Sequence, residues 1–360
     1  MKQIVICVTG GHITPAIAVM EEIRASRPQW DLFCIGRKDV FDGSNVTSQE
    51  ERLVGALGLP FYAISTGRLS RIWTPAVLLS LIKIPGAIWA AYTLLKMRRP
   101  DIILSFGGYI ALPVVLVGRM LGIPTITHEQ TGSLGLANRL IALMARRVLI
   151  ARRDGIPLRR GLFLRRRKLP FPEFSTDTAY PLLYITGGST GAQSLNALIY
   201  PIVVELIRSY RVIHQVGEAG IHAAEVARVM LPAAERNRYL AVRYIDTDDL
   251  SWVYQNASLL VGRSGANTTA EAQAIGIPAL WIPLPWSGGG EQEVNAGVLV
   301  SRGTAAVVSQ HEATPQRLFE EICRMMHEID RYSKAARAAA REFRRDGAAV
   351  VLGEVDRIAQ

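Results

Sequence analysis

The chain has 360 residues, nearly half of them apolar, and its 41 Lys and Arg against 31 Asp and Glu leave a formal charge of +10. That length sets two domains as the prior, and the charge points to anionic partners: phosphates, nucleic acid or an acidic membrane surface. The three cysteines, Cys7, Cys34 and Cys323, are widely spaced, which excludes a disulfide framework and a zinc site and points to a reducing compartment. The first apolar run, residues 4–8, is only five residues long and ends in glycines, so it does not read as a secretory leader.

Residues 3–8 (QIVICV) read as a fully apolar strand. Thr9-Gly10-Gly11-His12 turns that strand into a helix beginning near Thr14-Pro15, with residues 16–23 as its apolar continuation. Paired glycines let backbone amides approach a ligand, and the helix dipole adds positive potential, so the turn is an anion site. The GxGxxG dinucleotide fingerprint is absent. His12 sits where its protonated form is disfavoured, which leaves a neutral imidazole as a candidate base. The competing reading is a capping or solvent-facing histidine. A strand at 32–36, a polar loop at 38–49, a helix at 50–57 and a strand at 61–64 follow.

From Trp73 to Leu95 (WTPAVLLSLIKIPGAIWAAYTLL) lies the most apolar stretch. A membrane span needs about 20 uninterrupted apolar residues, and Pro75, Lys83 and Pro85-Gly86 interrupt this one, so two short helices with a kink are expected. Arg68 and Arg71 precede it, and Lys96, Arg98 and Arg99 follow. An apolar wedge with a basic rim is the pattern of a protein resting on an anionic bilayer, although part of it must pack on the sheet.

Residues 101–105 form the next strand and end in Phe106-Gly107-Gly108-Tyr109, a second glycine turn before a helix through Met120. A strand at 125–127 ends in His128-Glu129-Gln130, then come 132–138, a helix to Ala145 and a strand at 147–151. Glu129 is expected to face the same crevice as both glycine turns, and His128 reads as a buried structural histidine. Between Arg152 and Lys168 lie eight basic residues and one acid, Asp154, which reads as a solvated linker. Pro170, Pro172 and Pro181 mark a domain boundary.

The second half restarts the same architecture. A strand at 182–186 meets the glycine turn at 187–192, with a helix at 193–208 and a strand at 211–216 carrying His214 and Gln215. Residues 239–245 lead to Asp246–Asp249, expected to cap a short helix through Tyr254. Residues 259–296 then form a βαβ unit: a strand at 259–261, the turn Gly262-Arg263-Ser264-Gly265, a helix from Asn267 to Gly276, and a strand at 277–282. Ligands bind outside the carboxyl ends of strands in open α/β sheets. Here the turn offers a cation (Arg263), amides at a helix N-terminus near Asn267–Thr269, and a carboxylate one turn in (Glu271). Amides and cation suit a diphosphate, and a carboxylate suits a ribose diol. A Gly-rich loop at 287–290 leads to Glu291, Gln292 and Asn295. A strand at 305–308, helices at 314–330 and 332–345, and a final helix at 347–358 complete the chain.

Two Rossmann-like halves with glycine turns facing a central cleft form the layout of a GT-B glycosyltransferase. The segments TGGHITPAIAV (9–19), FGGY (106–109), HEQTGSLGLANR (128–139), GGSTGAQSLN (187–196), RSGANTTAE (263–271), GIPAL (276–280) and EQEVNA (291–296) occur in family order and at nearly family spacing. Through them the chain resembles glycosyltransferase family 28, in particular its peptidoglycan enzymes that add N-acetylglucosamine to lipid I. The resemblance implies an α/β GT-B fold with an acceptor domain at 1–160, a donor domain at 161–340 and a segment at 341–360 returning to the first. It implies UDP-N-acetylglucosamine as donor, with Gly188, Ser189 and Arg159 at its diphosphate. Ile245 and the turn Ala266, Asn267, Thr268, Thr269 would frame uracil. Glu271 would hold the ribose, Gln292 the sugar, and Arg263 belongs to the same site. Thr9, Gly10, Gly11 and Thr131 are also implied in donor contact, and Gly10, Gly11, Gly107, Gly108 and Asn138 in acceptor contact. His12, Glu129 and Tyr109 are the implied catalytic group, His12 taking the proton of the acceptor's C4 hydroxyl during inversion. Undecaprenyl-linked lipid I would be the acceptor at the cytoplasmic face of the membrane, reached through the Trp73–Leu95 wedge, with other cell-wall enzymes as further partners.

That chemistry suits the residue types. A UDP leaving group needs its growing charge met by preorganised amides and a cation. This requires no metal or cofactor, and the sequence offers no paired-Asp cluster or His/Cys ligand set. The chain departs from the family pattern at Cys7 and Val8 (two further glycines are usual), Thr131 (asparagine), Thr190 (glutamine), Ala111 (serine) and the uncharged 287–290 loop. Three other readings compete: a transferase for another lipid acceptor, a catalytically silent membrane-surface protein, and a nucleic-acid binder using 152–168. The last lacks aromatic interleaving for base stacking.

Overall fold

The computed structural model describes residues 3–37, 48–66, 83–131, 135–166, 168–188, 192–287 and 290–359. The chain divides into two compact units, residues 1–160 with 344–360, and residues 161–343.

In the first unit the strands are β1 (Val5–Thr9), β2 (Asp31–Arg37), β3 (Phe61–Ile64), β4 (Ile102–Ser105), β5 (Thr125–Glu129) and β6 (Arg147–Ile150). All pair in parallel, in the order β3-β2-β1-β4-β5-β6. Parallel strands covered on both faces must be apolar on both, and β1 shows why its run is unbroken. Ile4, Ile6 and Val8 pack with the helices Ile13–Ser26 and Gly347–Ala359. Cys7 packs on the opposite face with the helices Lys83–Arg98 and Gly108–Met120.

The final helix contributes Ala348, Val351, Leu352 and Val355 to the first unit's core. It docks through Gly347, where an added Cβ would lie 2.7 Å from the Ile156 carbonyl carbon. Only a residue without a side chain allows that approach.

The second unit repeats the plan with β7 (Leu182–Thr186), β8 (Arg211–Gln215), β9 (Tyr239–Val242), β10 (Ala257–Gly262), β11 (Ala279–Trp281) and β12 (Ala305–Val307). Their order is β12-β11-β10-β7-β8-β9, which is the first sheet's order read from its other edge. Both sheets therefore reverse winding beside their first strand, between β1 and β4 and between β7 and β10. A crevice opens at the carboxyl ends of strands at such a point.

Several expectations are corrected. Lys83–Arg98 is a helix that runs through Pro85-Gly86, with Pro85 in its first turn, where its missing N–H leaves no intrahelical bond unmade; the first of the two expected helices falls on residues 73–82, which lie outside the described residues, as do 38–47 of the polar loop. Residues 152–168 span the division between the two units, and Arg152, Arg153, Arg160, Arg165 and Arg166 are exposed, as a solvated linker requires, while Arg159 is buried. The segment includes the helix Ala151–Asp154 and the 3₁₀ turn Arg160–Phe163, and Arg153, Arg160 and Arg166 pair with Asp154, Glu22 and Asp248. Asp246 stands at the N-cap of Thr247–Asn256 without a side-chain capping bond. The helix Ile221–Val229 was not read from the sequence, because its polar and apolar residues show no clear stripe.

His214 is fully buried, between the Tyr239 hydroxyl at Nδ1 (3.1 Å) and Asn196 Oδ1 at Nε2 (3.1 Å). The Asn196 amide nitrogen donates to the Val216 carbonyl, so Asn196 Oδ1 accepts and His214 Nε2 carries the proton. Burial pushes its pKa from 6.5 down to about 3. The unfolded chain takes up a proton below pH 6.5 that the folded His214 refuses, so stability falls as pH drops from 6.5 towards 3. Urea unfolding at several pH values should show this loss. His214→Gln should flatten it by up to about 1.4 kcal/mol per pH unit, one proton's worth.

Candidate active site

At the first switch point two glycine turns meet. Gly11 N donates to the Gly107 carbonyl (2.8 Å), and Phe106 N to the Thr9 carbonyl (2.7 Å). Gly10 has φ +150°, and a Cβ there would fall 2.8 Å from the Phe106 carbonyl carbon. Gly108 has φ +82°, and its Cβ would lie 3.1 Å from Gly11 N. The backbones are in contact, which explains why glycines recur in both turns.

Glu129 organises the neighbouring side chains. Its Oε1 accepts from Thr131 N (2.9 Å) and Oγ1 (2.8 Å), and its Oε2 from Asn138 Nδ2 (2.6 Å). Asn138 Oδ1 in turn accepts from Gly108 N (2.7 Å). Glu129 was expected among the catalytic residues. With both carboxylate oxygens engaged, it positions Asn138 and through it the second glycine turn. Thr131 makes the loop bond with its own hydroxyl, and Ala111 is buried in the core, so that departure from the family pattern falls in packing.

His12 is the N-cap of Ile13–Ser26 and makes no side-chain capping bond, so the capping reading fails. Burial lowers its pKa below the ordinary 6.5, and the Glu129 charge opposes that in part. The imidazole is therefore neutral at neutral pH, as a base must be. His128 is buried, with Nε2 donating to the Gly155 carbonyl (2.9 Å) and burial lowering its pKa, a structural role as expected. Arg37 Nη1 donates to the Tyr109 hydroxyl (3.1 Å). Arg159 is buried near the end of this unit's first segment.

At the second switch point Arg263 turns inward. Its Nη1 donates to the Ile282 carbonyl (2.7 Å) and Nη2 to Ser194 Oγ (2.6 Å). The side chain is buried, burial lowers its pKa, and among the described residues no carboxylate pairs with it. The expectation of a cation presented by the turn is thus modified: the guanidinium ties the ends of β10 and β11 to the helix Gln193–Ile199. A buried, uncompensated cation is costly unless an anion arrives.

Around it, Ser264 Oγ donates to the Gln292 carbonyl (2.7 Å), and Asn295 Nδ2 to the Ser264 carbonyl (3.1 Å). Gln292 Oε1 accepts from Leu284 N (3.0 Å). The helix Ala266–Ile275 begins here with Gly265 as its N-cap. Thr269 Oγ1 bonds back to the Gly265 and Ala266 carbonyls (both 3.0 Å), and its amide donates to the Gly265 carbonyl (3.0 Å), so both donors are used within the helix. Ala266 and Thr268 share that first turn, and Asn267 Oδ1 is buried with no hydrogen-bond partner among the described residues. Glu271, in the second turn, accepts from the Tyr254 hydroxyl (3.0 Å). Gly188 has φ +88° and donates its N–H to Thr186 Oγ1 (3.0 Å), and Ile245 is buried. Ser189 and Thr190 lie outside the described residues.

Sequence reasoning missed Ser194, Ser264, Tyr254 and the role of Gln215. Position at the carboxyl end of a strand was the available signal for Gln215.

Away from the switch points, the first unit exposes apolar side chains on two helices that both pack against Gly108–Met120. Trp89 (71% exposed) and Met97 lie on Lys83–Arg98, and Leu136, Leu140 and Leu143 (84%) on Leu136–Met144. The Trp89 and Tyr92 rings stack at 6.0 Å, with Lys96 Nζ over Tyr92. Among the described residues, no helix is long and apolar enough to cross a membrane.

Two Rossmann-like units with ligand-facing turns at their switch points are the architecture of the GT-B class. Within that class, the chain belongs to glycosyltransferase family 28: residues 4–150 match the family 28 N-terminal domain and 182–351 the family 28 C-terminal domain. It is 33% identical, over 96% of its length and 95% of the relative's, to a Streptomyces coelicolor protein named UDP-N-acetylglucosamine--N-acetylmuramyl-(pentapeptide) pyrophosphoryl-undecaprenol N-acetylglucosamine transferase. The crystal structure of Acinetobacter baumannii MurG is similar at TM-score 0.69 and 25% identity, covering 99% of this chain and 100% of that one. A Neisseria meningitidis UDP-GlcNAc 2-epimerase bound to UDP-GlcNAc is similar at TM-score 0.63 and 12% identity, covering 98% and 99%, and shares the fold alone.

Asn138→Ala removes the link between Glu129 and the Gly108 amide, leaving a buried carboxylate oxygen short of a donor. Chemical denaturation should show a loss of about 1–3 kcal/mol, and Asn138→Asp, which places two carboxylates together, should lose more.

Proposed function

We propose that this chain transfers N-acetylglucosamine from UDP-N-acetylglucosamine to the C4 hydroxyl of the N-acetylmuramyl residue of lipid I, forming lipid II with inversion. The observation that carries this reading is the identity along 96% of the chain to a relative named for that transfer. The chemistry of both switch points agrees with it.

The second unit holds the donor. Asn267 Oδ1, a buried acceptor lacking a donor among the described residues, suits the uracil N3–H. Glu271 suits the ribose diol, and the Gln292 amide nitrogen is left to meet sugar hydroxyls while its oxygen holds Leu284 N. Gly188 and the family-matched Ser189 meet the diphosphate, with Arg159 assigned there by the family motif. The buried Arg263 charge raises the local potential for a leaving diphosphate. Preorganised charge of this kind acts most strongly where water is excluded.

The first unit holds the acceptor, its diphosphate at the glycine turns. His12 takes the proton of the attacking hydroxyl as the new O4–C1 bond forms and the C1–oxygen bond to UDP breaks, so UDP departs with the electron pair. Glu129 favours the imidazolium that results. Tyr109 lines the acceptor side. The exposed apolar side chains of Lys83–Arg98 and Leu136–Met144, with Lys96 and Arg139 among them, rest on the anionic leaflet that carries the acceptor, at the cytoplasmic face.

Transfer of labelled N-acetylglucosamine to a short-chain lipid I analogue, run in EDTA, tests the substrate pair. Wild type should form product, and His12→Ala should lose about 100-fold or more in kcat, the range for a general base. Absence of product with wild type would refute the acceptor assignment. The acid limb of the wild-type kcat/KM profile should lie below pH 6.5, and Glu129→Gln should move it lower still, since the Glu129 charge raises the His12 pKa. In co-sedimentation with anionic vesicles, Trp89→Ser combined with Leu143→Ser should weaken binding and leave UDP affinity unchanged.

A further inference from the structure

The donor-binding elements of the second unit are linked beneath their surface by side chains that the reaction itself does not call upon. Gln215, buried at the carboxyl end of β8, donates through Nε2 to the Gly188 carbonyl (3.0 Å). Its Oε1 accepts from the Ile245 amide (3.3 Å) and from the Tyr184 hydroxyl (3.2 Å). The Tyr184 ring meets the Tyr254 ring edge-on, with centroids 5.7 Å apart and planes at 88°. The Tyr254 hydroxyl closes the series on Glu271 Oε2 (3.0 Å).

Each terminus of this series is a group placed at the nucleotide. Gly188 belongs to the glycine turn after β7, Ile245 to the segment after β9, and Glu271 to the helix after β10. These three come from separate crossovers, and backbone hydrogen bonds of the sheet do not set their spacing. One glutamine amide can do so because it offers a donor and an acceptor in a rigid plane, and here both are used.

We propose that Gln215, Tyr184 and Tyr254 are positioning residues for the nucleotide. Tyr254 holds one Glu271 oxygen so that the other meets the ribose diol, and Tyr184 with Gln215 sets the distance between the glycine turn and Ile245. The proposal rests on the reading of the second unit as a UDP-sugar site. A carboxylate accepts at two oxygens, so a fixed donor on one selects the direction of the other. Without it the carboxylate loses that constraint on its direction, and ribose binding weakens. Tyr184 acts further away, on the frame that receives base and phosphate, and should not distinguish one ribose hydroxyl from its absence.

Calorimetry on the full chain with UDP, 2′-deoxy-UDP and 3′-deoxy-UDP separates these roles. Each substitution removes one oxygen atom, and near-UV circular dichroism checks that the fold is kept. Wild type should bind UDP and lose about tenfold or more on at least one deoxy compound, as expected for a hydrogen bond to a charged group. Tyr254→Phe should weaken UDP about five- to tenfold and the deoxy compound far less, so discrimination shrinks to about two- to threefold. Tyr184→Phe should weaken all three ligands by about the same factor. In turnover, both variants should raise KM for the UDP-sugar and keep kcat. Failure of wild type to bind UDP would overturn the donor-site reading itself. UDP binding by wild type with unchanged discrimination in Tyr254→Phe would overturn the positioning proposal and leave that reading standing. Equal weakening of UDP and deoxy-UDP in Tyr254→Phe would do the same, as the mark of a merely structural tyrosine.

Discussion

Backbone-to-backbone contact at the first switch point constrains the rest of that unit. Gly11 hydrogen-bonds Gly107, and Cβ atoms at Gly10 or Gly108 would stand within 2.8 and 3.1 Å of main-chain atoms. Main chain cannot rotate away as a side chain can, so neither turn tolerates a larger residue without moving a strand end. The helix Ile13–Ser26 starts directly from this contact, and its first amides and His12 inherit their placement. Glu129 and Asn138 fasten the second turn from the adjoining strand and helix. A carboxylate at the carboxyl end of β5 therefore helps fix a histidine that belongs to a different crossover.

The second unit solves the same problem with side chains. Its glycine turn is held by Gln215, the turn after β10 by Arg263 and Ser264, and the following helix by Asn295. Arg263 carries a full charge into a buried position, and the carbonyl and hydroxyl beside it are only partial compensation. Such an arrangement is less stable than an apolar one without its ligand. Stability is surrendered in return for positive potential at the carboxyl ends of β10 and β11, the common pattern where a site must receive an anion.

The two sheets share one strand order read from opposite edges, yet similar proteins use that fold for different reactions. A UDP-GlcNAc 2-epimerase has the same architecture at 12% identity. The chemistry must therefore lie in what each turn carries. In this chain those are a neutral histidine at the first switch point and, at the second, a buried arginine that no carboxylate pairs among the described residues.

Much of this was legible in the amino-acid order. Apolar runs ending in glycine turns specify parallel strands buried on both faces, and the repeat of strand, glycine turn and helix in each half announces two Rossmann-like units. His12, Glu129, Arg263, Glu271 and Gln292 stand out because polar residues at strand ends are rare and local. Other features involve partners far apart in the chain. That Glu129 orients Asn138, that Arg263 turns onto Ile282 and Ser194, and that Tyr254 reaches Glu271 depends on which strands lie side by side. The ion pairs of residues 152–168 were also settled by packing, since local composition there does not say which carboxylates its arginines meet. Sequence by itself determined the elements, the glycine turns and the residue types at strand ends, because these follow from local sterics and polarity. Tertiary structure alone decided which polar groups are used up within the protein and which remain for substrate, because a hydrogen bond needs two groups and the fold chooses the second.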